Sequence, residues 1–136
     1  MHNVPTKFQP LVEIAYGILP KMIRNDCGSH HFSFILKSSR VLALGVNRPW
    51  KSHCLAARYG HRFQLIHSEL DSILKVRHKH DLRSLTMVNI RLSSQSLKVK
   101  RPILRNSKPC QHCLQLLQVF EFSKVFYSTE SGFEKL

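Results

Sequence analysis

The chain has 136 residues, 43% of them hydrophobic, with 21 Lys+Arg against 8 Asp+Glu and a formal net charge of +13. That length fits one domain over 1–136 with a real core, which excludes a disordered polyelectrolyte. No apolar run approaches the ~20 residues that span a bilayer, and Met1-His2-Asn3-Val4-Pro5 lacks the basic-then-apolar form of a signal peptide. A cytoplasmic protein with anionic partners is therefore expected (in a host cell, if the source is viral), with no membrane partner.

Residues 1–10 are polar with two prolines and read as an N-terminal arm. From Leu11 the apolar positions Leu11, Ile14, Ala15, Ile18, Leu19 and Met22 follow helical spacing. Gly17 and Pro20 predict a kink or break in that helix, and Asn25-Asp26-Cys27-Gly28-Ser29 reads as a stop and turn. Phe32, Phe34 and Leu36 then alternate with lighter residues, and Arg40–Val46 is β-rich. Ser38-Ser39 between them is short enough for a hairpin. A second helix is predicted from Leu65 to about Lys79, with Leu70, Ile73 and Leu74 inward. Ser84–Leu92 reads as a third strand, and residues 93–108 as an irregular basic stretch. Pro109 opens a third helix through about Phe120. Lys124–Ser128 reads as a fourth strand, and the last eight residues hold no predicted element. The expected fold is α/β, a three-layer α/β/α arrangement around a mixed sheet of four to five strands. Its first two strands are antiparallel and the later ones parallel, joined by helical crossovers.

The four cysteines divide into two kinds. Cys27 and Cys54 have no partner at metal spacing and read as free buried thiols. Cys110 and Cys113 form a C-x-x-C pair, a metal half-site or a redox pair in an intracellular protein. His67-Ser68-Glu69 opens the second helix, and Pro109-Cys110-Gln111-His112-Cys113 opens the third. Cys110 and Cys113, three apart, share one face of a helical turn. Two thiolates and an imidazole make a three-ligand zinc site whose fourth position is open, as in catalytic sites. A helix N-terminus lowers a thiol's pKa. Glu69 is not needed as a ligand, and a carboxylate beside a metal-activated water can move its proton. A structural zinc site is the competing reading, with His112, His53 and Cys54 available as a fourth ligand. His112 is expected at the surface, and His78 and His80 on a solvated helix end.

H-x-E followed by P-C-x-x-C resembles the signature of the zinc nucleobase deaminases. Over roughly residues 30–130 the chain is similar to the cytidine and deoxycytidylate deaminase superfamily, small phage or viral deoxycytidylate-type domains above all. Gly45-Val46-Asn47 and Ser107-Lys108-Pro109-Cys110 add to the likeness. The resemblance implies a cytidine-deaminase-like fold in which His67, Cys110 and Cys113 bind zinc. Glu69 would shuttle a proton, Asn47 would hydrogen-bond the sugar or base, and the backbone around Ser68 would touch the pyrimidine amide edge. Two departures stand out. Many members have Ala where Ser68 stands. Members also continue past the fourth strand with another helix and a fifth strand, whereas Thr129–Leu136 follow it here.

Two basic stretches flank these motifs. One holds Lys98, Lys100, Arg101, Arg105 and Lys108, the other Arg48, Lys51, Arg58 and Arg62, and neither contains an acid. They suggest a phosphate channel in which Trp50 and Tyr59 stack on bases. A generally basic surface, with Trp50 and Tyr59 as loop anchors, is the plainer alternative. The expected activity is deamination of cytosine to uracil on single-stranded nucleic acid, ahead of a free cytosine-containing nucleotide such as deoxycytidylate, or cytidine. A tRNA-type adenosine deaminase and a non-catalytic, zinc-stabilised nucleic-acid-binding module are further alternatives. A homo-oligomer that completes a short sheet edge is left open.

Overall fold

In the computed structural model, which describes residues 4–22, 29–52, 58 and 65–136, the elements follow one another in this order. They are α1 (Gln9–Met22), β1 (Ser29–Lys37), β2 (Arg40–Val46), β3 (Arg48–Ser52), β4 (Leu65–Ile66), α2 (Ser68–Val76), β5 (Thr86–Ser93), α3 (Gln95–Lys98), β6 (Leu104–Arg105), α4 (Gln111–Phe120), β7 (Lys124–Thr129) and β8 (Gly132–Lys135). The main sheet has six strands in the order β2-β1-β5-β7-β8, with β6 also on β5. β5 and β7 are parallel; the other pairings in this sheet are antiparallel. β3 and β4 form a separate two-stranded ribbon.

Alternation in the strands sets the layers, because successive side chains leave a strand on opposite faces. Phe32, Phe34 and Leu36 of β1 and Val88, Ile90 and Leu92 of β5 point to one face. There they pack against Leu11, Val12, Ala15 and Leu19 of α1. Ile35 and Met87 point to the other face and meet Leu70, Ile73 and Val76 of α2 and Leu116 and Leu117 of α4. The result is α1, sheet, then α2 and α4. Burying a Phe fully is worth about 2–3 kcal/mol, so the fully buried Phe32 and Phe34 anchor the α1 face. No helix among the described residues is long and apolar enough to cross a membrane.

Several local expectations change. Val12 is buried in α1, whereas Ile14 is 43% exposed, so the apolar stripe leans toward Val12. α1 runs through Gly17 and Pro20, the proline falling in the last turn before the helix ends at Met22. The predicted arm is docked from Val4 onward. A 3-10 turn at Thr6–Phe8 buries Phe8, whose ring lies 5.1 Å from that of Phe126 and 4.7 Å from that of Phe133. The second helix starts at Ser68 rather than Leu65, because His67 is extended at its N-cap and Leu65–Ile66 pair with β3. The sheet exceeds the expected strand number because β6 and β8 are too short to display alternation. β8 returns as a hairpin, held by Tyr127 Oη donating to Glu134 Oε2 at 2.7 Å. The predicted turn at 25–28 and the thiols of Cys27 and Cys54 lie outside the described residues, as do His53 and Tyr59.

Candidate metal centre

Two helix N-termini build the centre, and each is fixed by small or polar residues on the sheet. α2 approaches β2 at Gly45, where a Cβ would collide with the carbonyl oxygen of Ser68 and lie 2.5 Å from the Ser72 nitrogen. Only glycine permits that backbone contact. Asn47, just past β2, accepts the Ser68 N–H on Oδ1 at 2.8 Å, satisfying a donor at the start of α2. Asp71 fixes both neighbours of Asn47. Its Oδ2 accepts Val46 N–H at 2.9 Å, and its Oδ1 accepts Arg48 Nε at 2.7 Å. The α4 start is pinned from the other side. Ser107 Oγ donates to Asn89 O at 2.9 Å and accepts the Ser128 N–H at 2.8 Å. Cys110 is the N-cap of α4, so the helix starts at Gln111 rather than Pro109, and Cys110 Sγ accepts the Cys113 N–H at 3.4 Å.

These constraints bring His67, Cys110 and Cys113 together. His67 Nδ1 lies 3.7 Å from Cys110 Sγ and 3.6 Å from Cys113 Sγ, and the three donor atoms all fall within 4.8 Å of one another. Around a tetrahedral zinc with Zn–S about 2.3 Å and Zn–N about 2.0–2.1 Å, nitrogen and sulfur stand about 3.6 Å apart. The spacing therefore fits. Cys113 is buried, His67 half-buried and Cys110 exposed, so the group is open on one side.

The electrostatics of the donor set also call for a cation. Glu69 is 6% exposed beside the group, and burial pushes its carboxyl above the ordinary carboxylate range. The neighbouring Cys110 thiol and burial push Cys113 up as well, with Glu69 adding to the effect. Contact with Cys110 raises His67 against the opposing effect of burial. Two thiols and a carboxyl cannot all ionise in one pocket unless a positive charge joins them. A divalent ion, if held by His67, Cys110 and Cys113, would supply that charge and favour the thiolates.

Beneath Glu69 runs a buried polar chain. Ser68 Oγ lies 3.0 Å from Glu69 Oε1 and 2.8 Å from Ser33 Oγ, which donates to Asn89 Oδ1 at 2.7 Å. Ser33 directs its one proton to Asn89, so Ser68 can serve only one of its two neighbours.

The remaining predicted residues divide. Asn47 is exposed and spends its carbonyl on Ser68. Its amide nitrogen is the group left to meet a ligand. The Ser68 N–H is committed to Asn47 and is not free for a base. Arg48 pairs with Asp71 through Nε at 2.7 Å and keeps partial exposure. Arg58, Lys98, Lys100, Arg101 and Lys108 are exposed, and Arg105 is half-buried. The side chains of Trp50 and Lys51, and all of Arg62, lie outside the described residues. His112 is half-buried rather than at the surface.

Sequence reasoning missed Ser33, Asn89, Asp71, His31 and Arg91. The available signal was polar residues at alternate positions of otherwise apolar strands. His31 stands opposite Arg91 across β1 and β5. Burial first, then the positive charge of Arg91 and of His67, lowers its pKa to about 4.

No family model matches the chain, and no curated protein or solved structure matches it. The chain's own geometry establishes an α/β fold carrying a His/Cys/Cys group that could hold a metal ion.

Proposed function

We propose that the chain is a zinc-dependent hydrolytic nucleobase deaminase of the cytidine/deoxycytidylate type, converting cytosine to uracil with release of ammonia. One observation carries the reading: His67, Cys110 and Cys113 converge at zinc spacing with a buried carboxyl, Glu69, beside them and outside the ligand set. A structural site has no use for that carboxyl, whereas hydrolysis of an amidine needs a group that moves protons.

When bound, zinc supplies Lewis acidity that activates water at neutral pH. The chain's own residues do the rest. His67, Cys110 and Cys113 hold the ion. Glu69, kept protonatable by burial and steered by Ser68, receives a proton at its carboxyl. It delivers that proton, taken from the attacking water, to the ring nitrogen, and then carries a second proton, from the hydroxyl that has added to the ring carbon, to the departing amine. The Asn47 amide donates to the sugar or base. Charge supports single-stranded nucleic acid as the substrate. An excess of thirteen positive charges exceeds what one mononucleotide phosphate requires, and Lys98, Lys100, Arg101 and Lys108 stand exposed before the Cys110 motif. A duplex would hide the base, so the strand must be single or the base flipped out.

Glu69→Gln is the decisive test. The variant is expected to keep its fold by circular dichroism and one zinc per chain. Deamination of cytosine-containing oligonucleotides, followed by mass spectrometry, should drop at least about a thousandfold, within the usual reach of acid–base catalysis. Unchanged turnover refutes the mechanism. A zinc-loaded wild-type chain that deaminates no oligonucleotide, no deoxycytidylate and no adenosine substrate is a binding module instead.

A further inference from the structure

The α1 face of the sheet carries a cavity that the candidate metal centre, on the opposite face, does not use. Cross-strand partners share a face. Val41 of β2, Leu36 of β1, Thr86 of β5 and Lys124 of β7 are paired in turn at one end of the sheet. One step inward the matching row is Leu44, Phe34, Val88 and Phe126, which packs with α1 in a single apolar cluster. Between the outer row and the start of α1 lies a cavity of about 520 Å³. Phe8, Leu11, Leu36 and Phe126 form its apolar interior. Ile14 and Val41, 43% and 38% exposed, form its outer walls. Small-molecule sites span roughly 300–1,000 Å³, and this cavity falls inside that range.

The mouth of the cavity is cationic. Lys7 and Lys124 border it, and no acidic residue among the described ones lines it. Neither lysine belongs to an ion pair among the described residues. Lys7 Nζ stands 4.9 Å from the ring centroid of Phe8 and 4.7 Å from that of Phe126. Aromatic faces attract an ammonium, so this one is held over the apolar interior. The same placement occupies ring faces on which a flat ligand would stack, and it favours an aliphatic one. A second copy of the chain is opposed by like charge, since it brings the same two lysines and a net charge of +13 to its twin.

We infer that this cavity binds a small amphipathic anion, an aliphatic carboxylate of medium chain length. The chain lies on Phe8, Leu11, Leu36 and Phe126 between Ile14 and Val41, and the carboxylate meets the ammonium groups at the mouth. An apolar interior with a cationic rim gives each half of such a ligand its own partner. The site does not depend on the deaminase reading, because the sheet stands between it and the layer of α2 and α4.

The test is calorimetric titration of the full chain with decanoate, butyrate and 1-decanol, each below its aggregation limit. A buried methylene strengthens binding about fourfold, so decanoate should bind one per chain and at least about a hundredfold more tightly than butyrate. Decanol keeps the chain and lacks the charge, and should bind several-fold more weakly than decanoate. Ile14→Glu and Val41→Asp each set an acid on an outer wall and should cut decanoate affinity at least about tenfold, because a carboxylate there meets an apolar chain and a like charge. Circular dichroism shows which of these two variants folds, and one folded variant suffices. Lys7→Gln and Lys124→Gln should each weaken decanoate about two- to fivefold, the reach of one exposed ion pair, and leave decanol unchanged. Lys79→Gln, an exposed lysine outside the cavity, should change neither. The site is overturned by any of four results: no binding of decanoate, decanoate no tighter than butyrate or decanol, affinity that survives a folded wall variant, or a loss in Lys79→Gln equal to that in Lys7→Gln. Two other occupants would also overturn it. A solution mass of two chains that falls to one in Ile14→Glu assigns the cavity to a second copy. A leucine-rich acidic peptide that binds where decanoate does not assigns it to a protein partner.

Discussion

The two faces of β1 and β5 use the same backbone for opposite ends. Toward α1 the strands send Phe32, Phe34, Leu36, Val88, Ile90 and Leu92, with polar side chains at the ends of that row, His30 opposite Leu92 and Thr86 opposite Leu36. Toward α2 and α4 they send His31, Ser33, Asn89 and Arg91 at one end and Ile35 and Met87 at the other. The α1 face gains its stability from area removed from water, which needs no particular partner geometry. The metal face places buried polar groups in a dry setting, where each must be satisfied to avoid a penalty. Ser33, Ser68, Asn89, Ser107 and Ser128 satisfy one another and the loop backbones. The lesson is a division of labour: one face holds the sheet together so that the other can hold polar groups in position.

Substitutions that strike one face and read out the other test this division. The largest stability change is expected from Phe34→Ala, which empties a fully buried site on the α1 face. Denaturant unfolding should report a loss of about 3–5 kcal/mol. Zinc stoichiometry under native conditions should stay at that of the wild type. Loss of zinc from a still-folded Phe34→Ala chain would show that the faces are not independent. Gly45→Ala should act the other way. The added methyl has no room between β2 and the backbone of α2, so the start of α2 must move. The stability cost should be smaller, about 1–3 kcal/mol, yet zinc affinity should fall, because His67 rides on that helix start. A Gly45→Ala chain with wild-type zinc affinity would mean that α2 yields elsewhere.

The same contrast explains what could be read from the chain. The α1 face was readable because Phe32, Phe34 and Leu36 advertise period two, and α1 follows the helical period. The candidate metal group His67, Cys110 and Cys113 was readable because metal chemistry restricts both residue type and spacing. The polar chain was not, since Ser33 and Asn89 acquire meaning only when β1 and β5 are placed in register. The partner of Arg48 was hidden for a related reason. In the sequence Arg48 belongs to a basic run, and only the fold reveals Asp71 across from it. β6 and β8 escaped because two and four residues cannot establish a period. Ile14 was misplaced because helical periodicity leaves the edge of an apolar stripe undetermined.

Asp71 offers an effect no larger than about that of Gly45→Ala and the sharpest discrimination. It is 6% exposed and receives Val46 N–H on one oxygen and Arg48 Nε on the other. Its side chain therefore grips the chain on both sides of Asn47, and it meets the candidate ligand His67 only through the helical bond from Asp71 N–H to the His67 carbonyl. Asp71→Asn keeps the shape but removes the charge and turns one oxygen into a donor. That donor faces a backbone N–H or a guanidinium, neither of which can accept it. The stability loss should be about 1.5–3 kcal/mol if the charged hydrogen bonds carry their usual weight. Partial exposure of Arg48, at 27%, places the expectation at the low end. A purely structural role predicts nothing more. A role in holding Asn47 toward a substrate predicts a KM several-fold higher with kcat and zinc content little changed, since Glu69 and the ligands stay in place. A fall in kcat at constant KM would instead mean that the disturbance travels down α2 to Glu69, and the metal face would then be one rigid unit rather than a set of separately held groups.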